Sequence, residues 1–124
     1  MRGIVRAGLC LAALWAALTT GIQGASAYGA IAANGCGRWG YSHGFGSRAE
    51  AFSRAMRECG TQGCKIVASV HNACGALATD GTTRCGAQGY GAASTRAQAE
   101  SIALVQCARY GGRSCTVRAW VCDR

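Results

Sequence analysis

Two histidines, five carboxylates and nine cysteines are the residues of this 124-residue chain whose chemistry could carry a reaction. His71-Asn72-Ala73-Cys74 sets a histidine beside a cysteine, but a Cys/His enzyme needs a free thiolate positioned by the imidazole. Cys74 is expected to be oxidised, so the pair lacks its nucleophile, and His71 reads as a strand-end histidine. Acid–base hydrolysis of a polysaccharide needs two placed carboxylates. Of Glu50, Glu58, Asp80, Glu100 and Asp123, the first two suit a helix surface and Asp80 a turn. Gly35-x-Gly37-x-x-Gly40 matches the dinucleotide fingerprint in letters alone, because its glycines lie across a hairpin and do not open a helix. The expectation is no catalytic residue, no cofactor and no enzyme, with His43 or His71 as the place for an unrecognised site.

One further stretch could bind. In Trp39-Gly40-Tyr41-Ser42-His43-Gly44-Phe45 every odd position carries a ring and every even one is Gly or Ser. An extended backbone would set the four rings in one row and leave the opposite side open to close approach. Trp39, Tyr41, His43 and Phe45 are therefore the candidate binding surface. Rings beside Arg38 hint at single-stranded nucleic acid, but the pattern is nonspecific, and no specific nucleic-acid partner is expected.

The surrounding elements follow from an internal repeat. Gly29-Ala30-Ile31-Ala32-Ala33-Asn34-Gly35 returns as Gly75-Ala76-Leu77-Ala78-Thr79-Asp80-Gly81, Ser47-Arg48-Ala49-Glu50-Ala51 as Thr95-Arg96-Ala97-Gln98-Ala99, and Cys64 to Val70 as Cys115 to Val121. Each unit reads strand, strand, helix, strand. Asn34-Gly35 and Asp80-Gly81 signal hairpins, and a three-residue loop pairing Ile31 with Trp39 and Leu77 with Cys85 keeps Arg38 and Arg84 off the core face. That pairing puts the inner part of the ring row in the core and leaves His43 and Phe45 as its outer part. In the second unit, Cys85 to Gly91 stands at the corresponding place, nearly without rings.

Ser47-x-x-Glu50 and Thr95-x-x-Gln98 are capping boxes, and helices should end near Cys59-Gly60 and Tyr110-Gly111. The shared buried stripe is Ala51, Ala55, Met56 and Cys59, matched by Ala99, Ala103, Leu104 and Cys107. Glu50, Arg54 and Glu58 stand at four-residue steps on another face and can pair. The predicted class is α+β: a duplicated unit forming an antiparallel or mixed sheet, with two helices packed on one face.

Arg2 and Arg6, an apolar run from Ala7 to Leu18 and Ala25-Ser26-Ala27 spell a secretory signal peptide over residues 1–27. A single duplicated domain over 28–124 follows, in units 28–74 and 75–124, with no transmembrane segment. Eleven basic residues against five acids give that domain a net charge of +6, which draws it to anionic surfaces. Cys10 leaves with the signal, and the remaining eight cysteines read as disulfides in an exported chain. Zinc is disfavoured, since Cys59-x4-Cys64 and Cys107-x7-Cys115 lack close two-residue spacing, and no metal site is assigned. Pseudo-symmetry suggests Cys59–Cys64, Cys107–Cys115 and, between units, Cys74–Cys122. The unmatched Cys36 and Cys85 then join each other.

The two Gly-Ala-(Ile/Leu)-Ala copies, the two Arg-Ala-x-Ala helix starts with a Cys at each helix end, Asn72 to Ala78 and the closing Val117-Arg118-Ala119-Trp120-Val121-Cys122 together resemble domain-of-unknown-function family 4189. The resemblance runs from Gly29 to Cys122. It implies an exported bacterial domain, mycobacterial members among them, and assigns no catalytic residue. Cys36 and Cys85 look additional to the family's six-cysteine pattern. The reading is a secreted or periplasmic, disulfide-stapled interaction or effector-type domain that binds a protein or an anionic envelope component. A cationic membrane-binding protein is the alternative beside an enzyme. Partner and oligomeric state are not written in these residues.

Overall fold

A computed structural model describes residues 27–124; the signal peptide expected over residues 1–27 lies outside the described residues except for Ala27. Chain order is β1 (Tyr28–Ala33), β2 (Trp39–Phe45), α1 (Arg48–Cys59), β3 (Lys65–His71), β4 (Ala73–Asp80), β5 (Gln88–Ala93), α2 (Arg96–Arg109) and β6 (Cys115–Asp123). The class is α+β, and the order strand, strand, helix, strand occurs twice.

The eight elements form two antiparallel three-stranded sheets, ordered β2-β1-β3 and β5-β4-β6. This differs from one sheet carrying both helices on one face. The cause lies in the central strands, which are apolar on both sides. Ala30 and Ala32 of β1 face Ala55 and Cys59 of α1, while Ile31 and Ala33 meet Leu77, Ala119 and Val121 of the other sheet. Cys74, Ala76 and Ala78 of β4 likewise face Ala99, Ala103 and Cys107 of α2. The layers are thus helix, sheet, sheet, helix. Ile31, Leu77 and Val70 are fully enclosed between the sheets, each contributing about 1.5–3 kcal/mol by burial.

Both helices start where the capping boxes place them: Ser47 Oγ accepts from the Glu50 amide at 3.2 Å and Thr95 Oγ1 from the Gln98 amide at 3.3 Å. Gly60 closes α1 in the left-handed conformation. Arg54 pairs with Glu58 at 3.0 Å on the exposed face. The buried stripe of α1 is Ala51, Ala55 and Cys59, whereas Met56 is exposed. It is narrow because the helix lies directly on backbone: a Cβ added to Gly40 would sit 2.5 Å from the Ala55 carbonyl oxygen. The even, small side of the 39–45 stretch is the helix seat.

The hairpin registers are offset from the three-residue expectation. Trp39 pairs with Ala33 and Tyr41 with Ile31, because the Asn34 side chain accepts from the Cys36 and Arg38 amides at 2.7 and 3.1 Å and widens the turn. In the second unit Tyr90 pairs with Leu77 and Gln88 with Thr79. The counterpart of the ring row is therefore Gln88 to Ala92, not Cys85 to Gly91, and the second hairpin loop is longer. β3 and β6 carry equivalent bulges, leaving Val67 and Arg118 unpaired.

The four bridges are Cys36–Cys85, Cys59–Cys64, Cys74–Cys122 and Cys107–Cys115. The chain passes from one sheet to the other at Asn72, whose φ of 53° lies in the left-handed region that asparagine tolerates. Cys74 accordingly belongs to the second sheet, and Cys74–Cys122 is a cross-strand link within it rather than a tie between units. Among the described residues, the bridge that joins the two sheets is Cys36–Cys85, from one hairpin loop to the other.

Candidate functional site

The ring row survives in three of its four members. Trp39 and Tyr41 have ring centroids 6.2 Å apart, tilted by 31°, and Tyr41 and His43 stack at 6.2 Å with planes 10° apart. Phe45 leaves the row. Register slips between Tyr28 and Ala30, where Gly44 takes a φ of 76°, and this bulge turns Phe45 to the helix side, where it lines a hollow with Ala49 and Ser53 of α1. The acceptor that holds the bulge comes from the far end of the chain: the buried Asp123 carboxylate accepts from the Gly44 amide at 3.0 and 3.2 Å.

The inner part of the row is surface, not core. Trp39 is 36% and Tyr41 45% exposed; β2 is an edge strand, so its rings overhang the rim of the intersheet core. Opposite them runs β6, the edge of the second sheet. Between the two lies a groove of about 420 Å³, with Trp39, Tyr41 and His43 on one side and the consecutive residues Arg118 to Cys122 on the other. A strand face presents alternate residues. Five in succession present its backbone edge. One wall of the groove is aromatic and the other is a hydrogen-bonding main chain.

Arg118 stands at one end, its Nε donating to Thr79 Oγ1 at 3.0 Å. This end opens into a second hollow of about 320 Å³ around the Cys36–Cys85 bridge, which Trp39 and Arg118 also line. The other end closes at the Gly44–Asp123 contact. Trp120 points to the opposite side of β6, where the Arg96 guanidinium lies 3.7 Å above its ring.

The remaining candidates are engaged elsewhere. Cys74 is bonded to Cys122, so His71 has no thiol beside it; the His71 ring stacks on Tyr28 at 4.2 Å, and its Nδ1 lies 3.2 Å from the Ala27 carbonyl oxygen. Asp80 accepts from the Thr82 hydroxyl at 2.6 Å and from the Thr82 and Arg113 amides at 3.0 Å each. These donors, the hydroxyl foremost, hold its carboxyl at about 2 against an ordinary 3.8, although burial opposes the shift. Asn34 does the same turn-forming work in the first unit. Glu100 pairs with Arg96 along α2. Among the described residues no three His, Cys, Asp or Glu side chains converge as metal ligands, and no helix is long and apolar enough to cross a membrane.

The β6 wall went unmarked in the sequence. Val117 to Cys122 reads as a strand, but its position at a sheet edge depends on pairing order, for which the sequence holds no local signal.

Comparison with known proteins gives a match to the family described as "Domain of unknown function (DUF4189)" over residues 28–122. Protein Rv1269c of Mycobacterium tuberculosis and Protein Mb1300c of Mycobacterium bovis are each 45% identical to this chain over 56 residues, covering 45% of the chain and 44% of the relative. The match thus spans less than half the length of these curated relatives. No solved structure matches.

Proposed function

The chain belongs to the DUF4189 family, and from that premise we propose that it is a secreted domain that acts by binding, through the groove between the ring ladder of β2 and the edge of β6. The observation that carries this reading is the exposure of three neighbouring rings on an edge strand beside an unpaired main-chain edge. Aromatic side chains left at a surface, rimmed by polar groups, mark interaction sites in exported domains that otherwise bury such residues. Four disulfides fit an oxidising compartment outside the cytoplasm, as does the signal sequence.

Binding is preferred to catalysis because several of the groups a reaction would use are committed to structure. The Cys74 sulfur is bridged, Asp80 forms a turn and Asp123 holds a bulge. Partners are a protein or an anionic envelope component, in keeping with the +6 charge of residues 28–124.

Affinity capture from envelope and culture fractions, with the oxidised protein beside a Trp39→Ala/Tyr41→Ala variant, tests this. Both rings are on the surface, so the variant should keep the wild-type circular dichroism and lose the species that wild type retains. An unchanged capture profile from a folded variant would reject the reading.

A further inference from the structure

The two walls of the groove differ in what they ask of a ligand. The ring ladder accepts any flat or apolar surface. The β6 edge asks for a chain that offers alternating N–H and C=O groups along its length, and an extended polypeptide meets that demand by adding a strand. Resting on the reading of the groove as the binding site, we infer that its ligand is an extended, acidic polypeptide segment that pairs with β6 and lays alternate side chains on Trp39, Tyr41 and His43.

Dimensions fit. Five residues of β6 line the groove, and at a strand rise of about 3.3 Å per residue the aligned segment spans about 13 Å. A segment of about five residues would present side chains to the ladder at every second position, in step with the ladder's own period of two.

Charge selects the sign. Arg118 is exposed at the groove mouth, spends its Nε on a neutral threonine hydroxyl, and pairs with no carboxylate among the described residues. Of the acids near it, Asp123 is buried and turned to the Gly44 amide, and Asp80, which lines the adjoining hollow with Arg118, is held by Thr82 and the Arg113 amide. A carboxylate on the ligand would find the two free guanidinium nitrogens of Arg118. The same charge argues against a second copy of this chain as occupant, since two domains of net charge +6 would meet with Arg118 on each groove and no acid to answer it.

The test is titration of the isotopically labelled, oxidised protein with a decapeptide of alternating Glu and Val, followed by calorimetry and by amide NMR. Backbone amides of Arg118 to Cys122 should shift, and the alternate ones that do not bond β4 should gain protection from exchange. A decapeptide of alternating Lys and Val, or Arg118→Glu against the acidic peptide, should bind about tenfold more weakly, and raised salt should weaken the acidic complex. Arg118→Lys, which keeps the charge, should stay within about threefold of wild type. Methylating the peptide's amides on the β6 side should abolish binding. Binding of a chitin hexamer or an oligothymidylate to the rings, with the β6 amides unmoved and the acidic peptide inert, would overturn this inference and leave the binding-domain reading standing. Self-association that protects the same β6 amides would overturn it too. Failure of every probe to move a groove residue, together with capture indifferent to Trp39→Ala/Tyr41→Ala, would overturn both.

Discussion

Tyr41 and Tyr90 occupy the same place in their respective halves, one opposite Ile31 and the other opposite Leu77, and they meet different surroundings. Tyr90 lies partly buried against the intersheet core, as does Val67, the bulged residue of β3. At the position equivalent to Val67, β6 carries Arg118, which is charged and stays in solvent. Flanking Tyr41 are Trp39 and His43; flanking Tyr90 are Gln88 and Ala92. One rim of the intersheet core is thus sealed by apolar residues, and the other is held open with rings on one lip and a guanidinium at its mouth. The shared frame sets the fold, and the departures from symmetry gather around the groove. A duplicated domain can specialise one rim while its twin keeps the core closed.

The largest effect expected from disturbing this balance is on the link between the halves. Replacing Cys36 and Cys85 by Ser opens a crosslink between residues 49 apart in sequence, which corresponds to about 4 kcal/mol in the chain-entropy account. The Cys59→Ser/Cys64→Ser pair, with a separation of 5, should lose about 2 kcal/mol. Denaturant titration of the two variants measures both, and equal losses would contradict the ranking.

Helix seats come next. Ser42 sits between β2 and α1, its Oγ donating to the Ala51 carbonyl at 2.6 Å. Its counterpart Gly91 leaves no such space, for a Cβ there would lie 3.0 Å from the Ala103 amide nitrogen and against the Ala99 carbonyl. Gly91→Ser should therefore destabilise by about 1–3 kcal/mol through overpacking. Ser42→Gly should cost about 1 kcal/mol through the lost hydrogen bond. Thermal unfolding that ranked the two the other way would break the structural equivalence of the seats.

The smallest effect concerns the turns at Asp80 and Asn34. Because the folded-state value of Asp80 is depressed to about 2, its contribution is fully present above the ordinary 3.8 and is lost as pH falls through that window toward 2. Asp80→Asn copies the first unit, where an amide oxygen likewise accepts from the backbone amide two residues on. Its stability should change less than that of wild type across the same acid range, and denaturant midpoints at a series of pH values read the narrowing gap.

Much of the fold is local chemistry, and that part is legible in the sequence. Ser47-x-x-Glu50, Thr95-x-x-Gln98 and Gly60 mark their helices without help from distant residues, and the six matched cysteines suggest three of the pairs found in the structure, with the unmatched Cys36 and Cys85 left to form the fourth. Layer order is different. Ala30 and Ile31 are both apolar, so the pattern of β1 states that both faces are covered but not by what. The bulge that removes Phe45 from the ring row depends on Asp123, 79 residues from Gly44. Residues 39–45 alone carry no trace of it. The candidate site divides the same way, its rings visible as an alternation and its β6 wall visible after the strands are paired.

The junction at Asn72 has a further consequence, for ancestry and for engineering. A single residue separates the last strand of one half from the first strand of the other, and each half has an apolar sheet face that the other covers. Cut there, either half would expose that face and would be expected to seek a second copy of itself, as a homodimer of strand-strand-helix-strand chains. The present protein has the form of such a dimer made continuous. Fusion releases the two copies from having to be identical, and it is this freedom that lets one rim carry rings and an arginine while the other stays shut.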